Sequence, residues 1–225
     1  MAADKEAYKG LIAALAPRHV TLVAVSKTKP VGDIKELYDL GHRDFGENYV
    51  QEMVEKQVVS PEDIRWHYIG HLQTNKVKYI APFVHLIHGV DSLKLLLEID
   101  KQARKNNRVI QCLLQVHIAQ EETKFGFSDD ELLEIMEDVH KSKLMDELKN
   151  VEVVGLMGMA SLTEDPEQVR KEFKYLKLLF DRCREMQVQH TIHILSMGMS
   201  GDYQIAIEEG ATMVRIGSLV FGSRP

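Results

Sequence analysis

The chain has 225 residues, 44% of them apolar and 28% charged, and a net charge of -6; this is the composition of one ordinary globular domain, residues 1–225, with one large core. No apolar run approaches the length that spans a bilayer, and MAADKEAYKG lacks the basic-then-apolar order of a secretory signal, so no membrane role and a cytoplasmic location are expected. An acidic balance with scattered lysines gives no footprint for nucleic acid, and Cys112 and Cys183, one in a strand-like run and one on a helical stripe, predict two buried thiols rather than a disulfide.

Residues 4–15 carry Tyr8, Leu11, Ile12 and Leu15 at helical spacing, and Pro17 closes that helix. The run HVTLVAVSK predicts a first strand over 20–27, ending in Lys27. A helix over 32–40 with Gly41 as its cap, a strand over 44–48 and a helix through Val50, Met53 and Val54 follow. Strand three is 64–69, followed by a short helix ended by Pro82. Strand four is 84–90, and Ser92 opens a helix bearing Leu93, Leu96, Leu97 and Ile99. After strand five, 109–118, Ser128 and Glu131 have capping-box spacing ahead of Leu132, Ile135, Met136 and Val139. Strand six is 151–157. Pro166 suits the first position of a long helix striped by Val169, Phe173, Leu176, Phe180 and Cys183. Strand seven is 191–195, a short helix spans 203–209, and strand eight runs 213–221.

Eight strands alternating with helices, with no hairpin signal between them, predict a single TIM-type (β/α)8 barrel with an extra N-terminal helix. An open doubly wound sheet is the alternative, but the Gly-x-Gly-x-x-Gly turn it often carries after the first strand is missing.

Active sites of such barrels form at the C-terminal strand ends. There the sequence places Lys27, Asn48, His71, the 157–161 and 196–200 segments, and Arg215 to Ser218. A lysine at the tip of a buried strand can be partly deprotonated and act as a nucleophilic amine. The glycine- and serine-rich SMGMSGDY and RIGS segments suit a phosphate without needing a basic protein. Residues alone therefore suggest a phosphate-bearing ligand opposite a reactive lysine, with a sugar-phosphate enzyme or a non-functional mouth as alternatives. His85 and His88, like His190 and His193, are three apart on expected strands, so neither pair offers two metal ligands on one face, and no zinc-type cysteine spacing exists.

VSKTKP, FGENYVQE, WHYIGHLQTNKVK, EETKFGF, GLMGMA and LSMGMSGDYQIAIEEGATMVRIGSLVFG, in this order over nearly the whole chain, resemble the pyridoxal phosphate (PLP) homeostasis proteins, single-domain relatives of the alanine racemase barrel. The resemblance implies that Lys27, rather than Lys29 before Pro30, forms the Schiff base with PLP. It implies that Arg215 faces the pyridine nitrogen, that Asn48 lies near the phenolic oxygen and that Ser200, Gly217 and Ser218 bind the phosphate. Ser196 and Met199 are expected as lining. His117 stands where the family pattern suggests asparagine, which leaves its role open.

Alanine racemases carry a second, all-β domain whose tyrosine serves as a catalytic base, whereas this sequence stops at Pro225 after strand eight. The implied function is a non-catalytic PLP carrier or buffer in vitamin B6 and amino-acid homeostasis that exchanges cofactor with PLP-dependent apoenzymes, and a monomer is expected because no exposed apolar helix face is evident. The alternatives are a small PLP-dependent racemase or decarboxylase and, more remotely, a sugar-phosphate isomerase.

Overall fold

The computed structural model of the chain describes residues 3–121, 125–140, 148–186 and 191–222. Strands β1 Thr21–Val25, β2 Asp44–Glu47, β3 Arg65–Tyr68, β4 Leu86–Val90, β5 Ile110–Gln115, β6 Val151–Met157, β7 Ile194–Ser196 and β8 Met213–Ile216 pair in sequence order. All pairs are parallel, and β1 returns to β8 with Thr21 beside Met213, closing the TIM-type barrel that the sequence predicts. Helix α1 Lys5–Leu15 precedes β1. Helices α2 Val31–Asp39, α3 Val50–Val58, α4 Val77–Ile80, α5 Leu93–Lys105, α6 Asp129–His140, α7 Pro166–Met186 and α8 Tyr203–Glu208 fill the crossovers, and α9 Ser218–Phe221 follows β8.

The predicted helix starts are built as their chemistry requires. Asp4 accepts from the Ala7 amide, and Ser92 from the Leu95 amide. Ser128 and Glu131 form the reciprocal box, with the Ser128 amide donating to Glu131 Oε2 at 2.9 Å and the Glu131 amide to Ser128 Oγ at 3.4 Å. Cys112 and Cys183 are both buried thiols. His190, residues 122–124 of the EETKFGF motif and the side chain of Val139 lie outside the described residues.

Several strands are shorter than hydrophobicity suggests. Val20, Val84 and Ile118 are buried beside the ladder rather than in it, so apolar runs over-read β1, β4 and β5. The expected strand 191–195 begins only at Ile194. The expected strand 213–221 breaks at Gly217, where φ -117° and ψ -66° turn the chain into α9. That turn buries Val220 and Phe221 and lets Val220 accept from the Asp4 amide at 2.8 Å, tying the end of the barrel to the start of α1.

Alternation along the strands sorts side chains into two sets. Outward residues such as Phe45, Trp66, Ile87 and Leu195 pack under the helices, while Val23, Leu86, Leu113, Val154, Met157 and Met213 form a separate cluster inside the barrel. Sharing that interior are polar residues on the same strand parity as the inner apolar ones. His88 follows Leu86 by two and Arg215 follows Met213 by two, and both are buried.

Candidate functional site

At the C-terminal mouth a cavity of about 300 Å³ is lined by Lys27, Lys29, Asn48, Met199, Ser200, Arg215, Gly217 and Ser218, with Val25, Ile69 and Met159 as its apolar walls. Seven of the eight residues expected from sequence meet there. Ser196 does not. At the end of β7 its side chain points into the barrel, fully buried, and is taken up by Arg215 and His88 instead of facing the cavity.

Each wall has a local reason for its position. Lys27 follows β1 in a tight turn closed by the Lys29 amide donating to Ser26 O at 3.0 Å. Between the two lysines Thr28 has φ +64°, an unfavourable conformation for a β-branched residue. Its amide donates to Glu52 Oε1 at 2.6 Å. Lys56 then locks that carboxylate, donating to Glu52 Oε1, Glu47 Oε1 and Ser26 O, each at 2.7 Å, while Ser26 Oγ donates to Glu47 Oε1 at 2.6 Å. Glu47 is fully buried, and burial raises its carboxyl above the usual range against the pull of Lys56. The turn that presents Lys27 thus sits on a buried ionic post. Lys29 is tied separately, its Nζ donating to Phe221 O at 2.8 Å.

Asn48 directly follows β2, where Tyr68 Oη donates to its main-chain oxygen at 2.9 Å. Burial pushes the Tyr68 phenol up to about 12, so it remains a donor. The Asn48 side-chain Oδ1 is buried with no hydrogen-bond partner among the described residues. A buried polar atom in this condition, on a cavity wall, fits a site built to meet a ligand's polar group.

Arg215 is 4% exposed, and its hydrogen-bond partners among the described residues are neutral oxygens: Nη1 donates to Ser196 O at 2.9 Å and Ser196 Oγ at 2.7 Å, and Nη2 to Gly158 O at 3.1 Å, with the Asp202 charge acting on it from the loop. Burial lowers its pKa to about 10, which leaves it a cation at neutral pH. On the facing loops, Gly198 takes φ +91° where an added Cβ would lie 2.6 Å from Ala206 Cβ, and the Met199 amide donates to Asp202 Oδ1 at 2.5 Å. The Gly217 amide points to Ser200 Oγ at 3.4 Å, linking the loops after β7 and β8. Loops in these two positions followed by a short extra helix recur as phosphate sites in such barrels.

The profile of the alanine racemase N-terminal domain family matches residues 8–225. The pyridoxal phosphate homeostasis protein of Aquifex aeolicus is 46% identical over 206 residues, covering 90% of this chain and 86% of that one. The chain belongs to the pyridoxal phosphate homeostasis protein family. Among solved structures, this family member is similar to PipY of Synechococcus elongatus, at 33% identity over 96% of this chain and 99% of that one. The TM-score is 0.89 to PipY without PLP and 0.85 to PipY with PLP bound.

Four features of this site were not evident from the sequence. The Ser26, Glu47, Glu52 and Lys56 post requires two helical turns to stand behind a strand end, which no linear spacing announces. His71, expected at the mouth, is exposed; it pairs with Asp91 at 2.9 Å and stacks on Phe125 at 3.9 Å rather than lining the cavity. His117, whose role the sequence left open, bonds through Nε2 to Glu121 O within its own loop. His88 was read only as one of a pair with His85 that offers no two metal ligands on one face, and His67 was not singled out, whereas strand parity with inner residues marks both as barrel-interior groups.

Proposed function

We propose that the chain binds pyridoxal 5'-phosphate in this cavity and acts as a non-catalytic carrier or buffer of the cofactor. Lys27 supplies the amine that links covalently to the cofactor's aldehyde. Arg215 faces the pyridine nitrogen, Asn48 the phenolic oxygen, and Ser200, Gly217 and Ser218 receive the phosphate, with Met199 on the wall. The observation that carries this reading is the convergence of Lys27, Arg215 and the β7 and β8 loops on one cavity. The likeness to a protein solved with PLP bound supports it.

Bound PLP supplies an electrophilic carbon and, when its ring nitrogen is protonated, an electron sink. A guanidinium held as a cation by neutral oxygens donates to that nitrogen and keeps protons off it, which weakens the sink. This favours holding the cofactor over carbanion chemistry. The reading extends to a monomer in the cytoplasm that exchanges PLP with apoenzymes and so serves vitamin B6 and amino-acid homeostasis.

Borohydride treatment of the PLP-incubated protein, followed by peptide mapping, is expected to find the label on Lys27 and to lose it in Lys27→Ala. Label on Lys29 would overturn the site assignment. Rapid amino-acid racemisation or decarboxylation abolished by Lys27→Ala would replace the carrier with a small PLP-dependent enzyme.

A further inference from the structure

Below the cavity the interior polar side chains form one continuous hydrogen-bonded chain. Asp44 Oδ1 lies 3.0 Å from His67 Nε2, His67 Nδ1 lies 3.0 Å from His88 Nε2, and His88 Nδ1 lies 3.0 Å from Ser196 Oγ. Arg215 Nη1 reaches the same hydroxyl at 2.7 Å. The chain starts on β2 at the opposite end of the barrel from the cavity, passes through β3 and β4, crosses the interior to β7 and ends on β8. His88 and Ser196 are fully buried and His67 is 1% exposed.

The two ends force the direction of every bond. A guanidinium only donates, so Ser196 Oγ accepts from Arg215 and its own proton is available to His88 Nδ1. Asp44 is gripped by Arg65 through Nε at 2.7 Å and Nη2 at 2.5 Å; burial alone would raise its carboxyl, but the Arg65 and His67 bonds outweigh that and hold it well below the usual range. The carboxylate only accepts, so His67 Nε2 carries a proton. With both imidazoles neutral one arrangement remains, in which His88 Nε2–H donates to His67 Nδ1. All donors then point from Arg215 toward Asp44. Burial of His88 disfavours its charged form, in keeping with a neutral chain. A proton added to His67 would oppose N–H to N–H, move the His88 proton to Nδ1 and leave the Ser196 proton without its acceptor. Other groups facing this chain are the ring of His85, 5.4 Å from that of His67, His42, whose Nε2 meets Asp44 O at 2.8 Å, and Asp202, whose negative charge acts on Arg215.

We infer that His67 and His88 are positioning residues for Arg215, acting through the Ser196 hydroxyl to fix how the guanidinium is presented to the cavity. Five buried polar groups inside a barrel are costly unless every member is satisfied, and here one directional arrangement satisfies them all. The inference rests on the reading of Arg215 as the partner of the PLP ring.

Two measurements test it. Nitrogen-15 NMR of the histidines, taken without cofactor, is expected to show His67 and His88 both neutral and both protonated at Nε2. A Nδ1–H tautomer at either residue, or a charged imidazole at neutral pH, would overturn the chain. In the PLP-incubated protein, Ser196→Ala is expected to shift the visible absorption maximum and to weaken PLP binding about tenfold, as loss of a hydrogen bond to a charged group does. Ser196→Thr, which restores the hydroxyl, is expected to return both. A folded Ser196→Ala with unaltered spectrum, affinity and histidine tautomers would refute the positioning role. Should the unmodified protein fail to bind PLP, the functional reading falls, and the NMR result alone then judges the chain.

Discussion

Lys56 is the residue on which the Lys27 turn depends. It is buried, as is its partner Glu47, and it holds the carboxylate that in turn holds the strained Thr28. Removing one member of a buried pair leaves the other uncompensated, at a cost of about 3 kcal/mol or more. Lys56→Met is therefore expected to lower the unfolding free energy read from urea titration by that much, and adding Glu47→Gln is expected to return part of it. Equal stability of the single and double variants would show that the pair is not coupled. At this scale the sequence was most legible where a residue's position follows from being a strand end. Lys27, Asn48, Ser200, Arg215, Gly217 and Ser218 all meet at the cavity because the barrel gathers strand ends whatever their separation along the chain. Ser196 was misplaced because being near a strand end does not say whether a side chain faces the mouth or the barrel interior. The post behind Lys27 was not foreseen: the i, i+4 spacing of Glu52 and Lys56 says nothing of the buried Glu47 behind them.

Among elements, β6 and β7 approach most demandingly at Gly155, where an added Cβ would lie 1.8 Å from Ile194 O and 2.7 Å from Ile194 C. Backbone cannot give way as a flexible side chain does, so Gly155→Ala is expected to destabilise by about 3 kcal/mol or more, read as a fall in Tm. A variant as stable as the parent would mean that the two strands can part without loss. A glycine inside the apolar run VEVVGLM hints at close backbone approach, yet only the pairing of Gly155 with Ile194 identifies what approaches. Helices were read well because caps and stripes are local. Strand ends were read less well because burial continues past the ladder at Val20 and Val84, and because Gly217 breaks an apolar run into a strand and a helix.

For the molecule as a whole, the buried imidazoles set the response to acid. Burial lowers the proton affinity of His42 and His88 below the ordinary value of 6.5. Below about pH 6.5 the unfolded chain binds protons at these positions that the folded chain does not, so stability is retained above that pH and falls as pH drops through it. The depressed carboxyl of Asp44 extends the loss below about pH 4, where the unfolded aspartate is protonated first. Urea midpoints measured between pH 7.5 and pH 4 are expected to decline steadily, whereas a flat profile over that range would contradict the buried, neutral state of these rings.

The three-residue β7 meets β8 in a single registered pair, Ser196 beside Met213, and three main-chain bonds, from Thr212 to Leu195 O, Met197 to Met213 O and Arg215 to Gly198 O, continue the junction. The loops proposed to hold the phosphate stand on opposite sides of that junction. A ligand seated across both would act as a clasp on the narrowest join in the staves of the barrel. Amide hydrogen exchange at Met213–Ile216 is accordingly expected to slow when PLP is added, and release of the cofactor becomes a matter of how often that join opens.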